Sequence, residues 1–256
     1  MAADPLPPLP APVAASEAAP LSEGARVVNT FIAPSKTFTD LSRNASWWAP
    51  FLLLVIVSTI FAYAVGTKVG YGKAGENVLQ MRPKQWDAIQ SMKADERDKV
   101  MLRVEKQTMI GTYMAPVINL VVLLIVAGVL LASFKFGVNA KVSYKVALAI
   151  VVYATLPGVV RYLLATLTLF AGISPDAFNV QNPVATNLAI LFSPTDNPVL
   201  YTMGSMIDIF AIWTLVLTAI GFTCVSKVKR GTALGIVFGW YIAFMLLIVG
   251  LTSLVS

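Results

Sequence analysis

Residues 146–172 read VALAIVVYATLPGVVRYLLATLTLFAG, a stretch long enough to cross a bilayer and carrying one charge, Arg161. A spanning helix needs about 20 mainly apolar residues. Four further runs meet that requirement: 47–65, 110–134, 201–225 and 231–255. None of them alternates as a barrel strand would, and helices are the remaining way to satisfy every backbone polar group in lipid. The fold class is therefore all-α, a polytopic membrane protein with five transmembrane helices. Composition agrees: 57% of the 256 residues are hydrophobic and 12% are charged, against about 25% charged in soluble domains.

The quoted stretch also predicts a kinked third helix. Pro157 removes a backbone hydrogen bond and clashes one turn back, so a break is expected around Tyr153, Pro157 and Gly158. Arg161 follows one turn later. A charge at the centre of a membrane helix costs about 2.5–3.5 kcal/mol on insertion scales, and such residues usually face the bundle interior. The fourth run carries one opposite charge, Asp208, at a compatible depth. Arg161 and Asp208 form the candidate intramembrane polar site. Three readings stay open: a buried ion pair that fixes packing, a site for an anionic headgroup, ion or peptide, or two residues that do not meet. In the fifth run Gly231, Gly235 and Gly239 recur every four residues, a face for close helix packing within the bundle or with a second copy.

Several functions are disfavoured. Histidine is absent, which removes the commonest general base and metal ligand. No Gly-rich phosphate loop or hydrolase motif is present. Cys224 is the one cysteine and reads as a packing residue. No enzyme activity and no cofactor are expected. The net charge of +6 sits at the borders of the apolar runs, which fits membrane orientation better than nucleic-acid binding.

Orientation follows from those borders. Lys135, Lys141 and Lys145 lie between the second and third runs, and Lys227, Lys229 and Arg230 between the fourth and fifth. By the positive-inside rule these loops face the cytoplasm, placing the N-terminus inside and the C-terminus outside. The 66–109 segment carries nine Lys/Arg and six Asp/Glu; it is assigned outside as a long helical loop. Within it Pro83 starts a helix bearing Trp86, Ile89 and Met92, and Asp95 and Lys99 make an i,i+4 pair.

Residues 1–26 read as a disordered Pro/Ala-rich cytoplasmic tail, and 27–256 as the membrane domain. Residues 27–46 read as one amphipathic helix leading into the bilayer, with Phe31, Phe38 and Leu41 on one side and Lys36, Asp40 and Arg43 in water. Pro34 is placed at its first turn. Residues 1–46 are thus a removable arm for cytoplasmic protein partners. Membrane lipids and a homo-oligomer complete the expected partners.

The order of these features resembles the Yip family of membrane proteins over roughly residues 28–255. The resemblance rests on the phrase FIAPSKTF at 31–38, containing Pro34 and Phe38, then on Trp48 and Pro50 entering the first span. Tyr153 and Pro157 echo a Gly-Tyr-x-x-x-Pro motif, with Val152 in place of glycine. The 208–213 phrase DIFAIW, with Phe210 and Trp213, is similar to the fourth-span phrase of bacterial members. The family is named for binding Ypt/Rab GTPases in eukaryotes. The resemblance implies five spans with the N-terminus in the cytoplasm, a bacterial inner-membrane setting, and an adaptor or scaffold role. The alternative is a small transporter or lipid-handling protein that uses the Arg161/Asp208 site.

Overall fold

The computed structural model describes residues 19–255. Its helices are α1 (Glu23–Ile32), α2 (Pro34–Leu41), α3 (Trp48–Lys68), α4 (Tyr71–Gln80), α5 (Pro83–Gln90), α6 (Ala94–Ala132), α7 (Tyr144–Ala154), α8 (Leu156–Phe170), α9 (Pro198–Met206), α10 (Ile209–Ser226) and α11 (Arg230–Val255). Five units are long and apolar enough to span: α3, α6 with its extension to Gly137, α7 together with α8, α10, and α11. The chain is an all-helical polytopic membrane protein.

The α7–α8 unit is the centre of the bundle and α11 its edge: 61% of the apolar window is buried in the first and 6% in the second. Every residue from Ala147 to Ala154 is buried, because α3, α6, α10 and α2 all pack on α7. The expected break falls at Thr155, between Tyr153 and Pro157. Thr155 closes α7 with its amide on the Val152 carbonyl (3.2 Å) and its hydroxyl on the same oxygen (2.7 Å). Pro157 sits in the first turn of α8, where its missing N–H costs nothing. The bend sends α8 onto α3, while α6 stays with α7.

The segment before the first span differs from the single amphipathic helix expected at 27–46. Pro34 forces Ala33 out of the helical region (φ −150°, ψ 61°), as a residue before proline tends to be. Two short helices result, and they fold back on each other as a hairpin. The hairpin begins inside the expected tail, since Ser22 caps α1 by accepting from the Ala25 amide. Asp40 is not in water but 7% exposed, and Phe38 and Leu41 are fully buried. Phe38 lies against Gly221 of α10, where a Cβ would also meet Ile150 of α7. Phe31 meets Trp213 edge-on at 5.6 Å. Lys36 is exposed. Residues 23–41 are therefore part of the bundle, whereas the proline-rich residues 1–18 lie outside the described residues.

At the other end α6 is unusually long. Its 39 residues extend about 58 Å at 1.5 Å per residue, against a hydrocarbon core of about 30 Å. The excess is its N-terminal part, on which α4 and α5 pack. The helix expected from Pro83 stops at Gln90, and Asp95 and Lys99 belong instead to the first turns of α6. Between α8 and α10 the chain makes two 3-10 turns, 175–177 and 188–191. The fourth run is divided at Ile207–Asp208, so the spanning helix begins at Ile209.

Because the hairpin fills core volume, its apolar and polar faces should behave differently on substitution. Phe→Ala in a packed core costs about 3–5 kcal/mol. Phe38→Ala is expected to lower the thermal unfolding midpoint in detergent clearly, and Lys36→Ala to leave it unchanged. Equal midpoints for Phe38→Ala and the unmodified chain would show the hairpin to be undocked.

Candidate functional site

Two arginines lie within the bundle, in opposite states. Arg26 of α1 is 1% exposed and saturated. Its Nε donates to Asp40 Oδ2 at 2.7 Å, its Nη2 lies 2.7 Å from the same oxygen, and its Nη1 donates to Glu23 Oε1 at 3.1 Å. The Tyr153 hydroxyl donates to Glu23 Oε2 at 2.7 Å, joining the cluster to the end of α7. Thr30 and Thr37 both donate to the Arg26 carbonyl oxygen, at 2.8 and 2.9 Å. Burial works against the Arg26 charge, but Asp40 and then Glu23 more than offset it and hold the guanidinium above its ordinary pKa. This network clips α1, α2 and α7 together and leaves nothing open for a ligand.

Arg161 is the other kind. It lies on α8, nine residues before the helix ends at Phe170, hence about 13 Å inside that end. Its Nε is buried and has no hydrogen-bond partner. Among the described residues it forms no ion pair. It faces a cleft of about 500 Å³ walled by Gly158, Arg161 and Tyr162 on one side and by α6 from Val104 to Ala115 on the other. The cleft exists because the Thr155 bend takes α8 away from α6. Phe61 of α3 closes its back, with its ring 5.4 Å from that of Tyr162.

The roof is α4 together with residues 180–183. Gly75 lets α4 lie directly on α6: a Cβ there would come within 2.6 Å of Thr108 Oγ1 and Val104 Cγ1. Asn77 fastens α4 to the following loop by donating to the carbonyls of Pro175 (2.7 Å) and Phe178 (2.8 Å). Lys73 adds an ion pair to Asp176 at 2.7 Å, and that hydrogen bond raises the lysine above its usual pKa. The polar residues of the lining are Arg161, Tyr162, Gln107, Thr108, Thr112 and Gln181. Among the described residues no carboxylate lines the cleft.

Asp208 is elsewhere in its chemistry. It is the N-cap of α10, and Oδ1 accepts from the amides of Phe210 (2.8 Å) and Ala211 (3.2 Å). Oδ2 accepts from the Thr186 hydroxyl at 2.6 Å and from Asn187 Nδ2 at 3.4 Å. Backbone pairing of Asn187 with Asp208 completes the join. Four donors satisfy this carboxylate, so it ties the 182–187 loop to the start of α10 and leaves Arg161 unpaired.

The other residues singled out in the sequence lie outside the cleft, some packed in the bundle and some not. Pro34 starts α2, Pro50 is buried in the first turn of α3, and Trp48 at its start is 57% exposed. Phe210 is buried. Gly231, Gly235 and Gly239 have no atom within 4 Å of where a Cβ would stand, so this face is unused within the described bundle. Close approach is allowed by other glycines, among them Gly75 on α4, Gly221 on α10 and Gly204 on α9, whose Cβ would strike the Leu188–Ala189 backbone at 2.8 Å. Cys224 is free and half-buried. Among the described residues no three His, Cys, Asp or Glu side chains gather as metal ligands.

A family model described as the Yip1 domain matches residues 28–251. The chain belongs to the Yip1-domain family. Comparison with the curated proteins and with the solved structures gave no match. The Yip1 match begins within α1 and ends within α11, so it takes in α2, the Thr155 break and the cleft, while Glu23 and Arg26 of the clip precede it.

The separate environments of Arg161 and Asp208 can be measured. Independent sites add within about 0.3–0.5 kcal/mol, while contacting pairs couple by about 0.5–3 kcal/mol. In a double-mutant cycle of Arg161→Gln and Asp208→Asn, read by thermal unfolding, the coupling is expected to be near zero. Coupling above about 1 kcal/mol would restore the ion pair.

Proposed function

We propose that this Yip1-domain protein is a non-enzymatic, lipid-handling membrane protein that holds the charged part of an amphiphile in the Arg161 cleft. The observation carrying this reading is that Arg161 lines a roofed cavity and has no hydrogen bond or ion pair among the described residues. A guanidinium kept at depth for structure alone should be matched by acceptors, as Arg26 is. Leaving it unmatched costs stability, and a ligand that supplies the missing acceptors gives that cost a use. The positive-inside count favours a cytoplasmic N-terminus, and the bacterial likeness of the 208–213 phrase favours an inner membrane as the setting.

A second reading is the adaptor or scaffold. It is favoured by α11, which has 6% of its apolar window buried and leaves its glycine face uncovered. A membrane partner or a second copy has room there. For cytoplasmic partners the recruiting part narrows to the segment before Glu23, because the rest of residues 1–46 supplies core.

Arg161 and Arg26 make a paired test. Removing one member of a buried ion pair costs about 3–5 kcal/mol, so Arg26→Leu should lower the unfolding midpoint sharply. Arg161→Leu is expected to leave the midpoint unchanged or raise it, and to abolish retention of co-purifying lipid in native mass spectrometry. Arg161→Leu that unfolds the protein, or that keeps its lipid, would contradict the proposal.

A further inference from the structure

The polar groups of the cleft restrict which lipid fits. Among the described residues Arg161 is the one charged residue of the lining, and neutral donors and acceptors surround it on Gln107, Thr108, Gln181 and Tyr162. The Thr112 hydroxyl is committed to the Thr108 carbonyl at 2.7 Å. A zwitterionic headgroup would bring an ammonium into a lining that has no carboxylate, beside Val78, Leu79 and Val180. Charge balance instead calls for one anionic group with no cation attached. Hydroxyls on such a headgroup would meet the amides of Gln107 and Gln181.

Shape points to where the rest of the molecule lies. Gly158 is one turn before Arg161 on the same face of α8, and Gly111 and Ala115 stand one turn apart on α6. All three line the cleft, and a Cβ at Gly158 or Gly111 would meet nothing within 4 Å. The wall beside the guanidinium is thus smooth and apolar, suited to an acyl chain. With α4 and residues 180–183 above and Phe61 behind, the gap between α6 and α8 is the side from which a lipid in the bilayer reaches Arg161.

We infer that the cleft takes a phospholipid with one net negative charge and a polyhydroxyl headgroup lacking an ammonium, its phosphate on Arg161 and an acyl chain along Gly158, Gly111 and Ala115. This rests on the lipid-handling reading of the same cleft and adds the headgroup class. The shared chemistry, an oxyanion on a guanidinium, also fits free phosphate, so the two sources must be separated.

The test uses the full chain in nanodiscs of phosphatidylcholine, titrated with phosphatidylglycerol, with phosphatidylethanolamine, or with inorganic phosphate, and read by native mass spectrometry. Phosphatidylglycerol should be retained at least about tenfold more strongly than phosphatidylethanolamine, a difference of about 1.4 kcal/mol. Arg161→Gln should reduce it to the phosphatidylethanolamine level. Gly158→Leu, which fills the slot and leaves the charge, should weaken both lipids, and millimolar inorganic phosphate should not displace phosphatidylglycerol. Equal retention of the two lipids, each lost in Arg161→Gln, would overturn the headgroup class and leave lipid handling standing. Displacement by inorganic phosphate would overturn the lipid source. Retention indifferent to Arg161 for every probe would overturn both readings.

Discussion

A guanidinium buried in a helical bundle is stable when acceptors surround it, and the contact of Arg26 with Asp40 and Glu23 is the one on which the rest of the arrangement depends. It gathers one guanidinium and two carboxylates into one cluster and fastens the α1–α2 hairpin, through Tyr153, to the central helix. Once held there, the hairpin delivers Phe38 and Leu41 to the core and gives α10 and α7 a surface to pack on. Such a buried pair is weak evidence for net stability, because desolvation offsets much of the attraction. Its consequence is specificity: the charges of α1 and α2 satisfy each other only in the folded hairpin, and undocking it would leave the Tyr153 hydroxyl at the end of α7 without its Glu23 acceptor.

The break at Thr155 has a comparable reach. A straight helix from Tyr144 to Phe170 would stay against α6 along its length. The bend lets the first half pack on α6 and the second on α3, and the space opened between α6 and α8 is the cleft. Proline thus acts twice in this chain. Pro34 splits the hairpin so that its charges can face each other, and Pro157 splits the third span so that Arg161 faces a cavity.

The spans, the break and the membrane class were legible in the sequence because each depends on local composition: apolar length, or a proline within it. Phe38 was legible as part of an apolar helix face for the same reason, whereas Trp213 entered only through the 208–213 family phrase. The hairpin was not, since Asp40 and Lys36 look alike as polar residues until the partner of each is known. Arg26 sat at the edge of a proline-rich tail, and its pairing across Pro34 is a tertiary fact. An Arg26/Thr30 face followed by a Thr37/Asp40 face was the available signal. Asp208 looked like the natural counter-ion of Arg161 because nothing else acidic lies within the spans. Four local donors, two of them from a helix N-terminus, satisfy it first. The glycine stripe of α11 shows the limit of periodicity: spacing marks a surface able to pack closely, not one that does.

What separates a ligand-serving Arg161 from a structural one is the identity of the atoms beside its guanidinium. The most direct measurement is an experimental structure of the protein purified from its native membrane with no lipid added, at a resolution that shows side-chain contacts. Density for an oxyanion with an attached chain, within hydrogen-bond distance of Arg161 and running past Gly158, is the expected result. Arg161 bonded to Asp208 or another protein acceptor, with side chains filling the gap between α6 and α8, would contradict it.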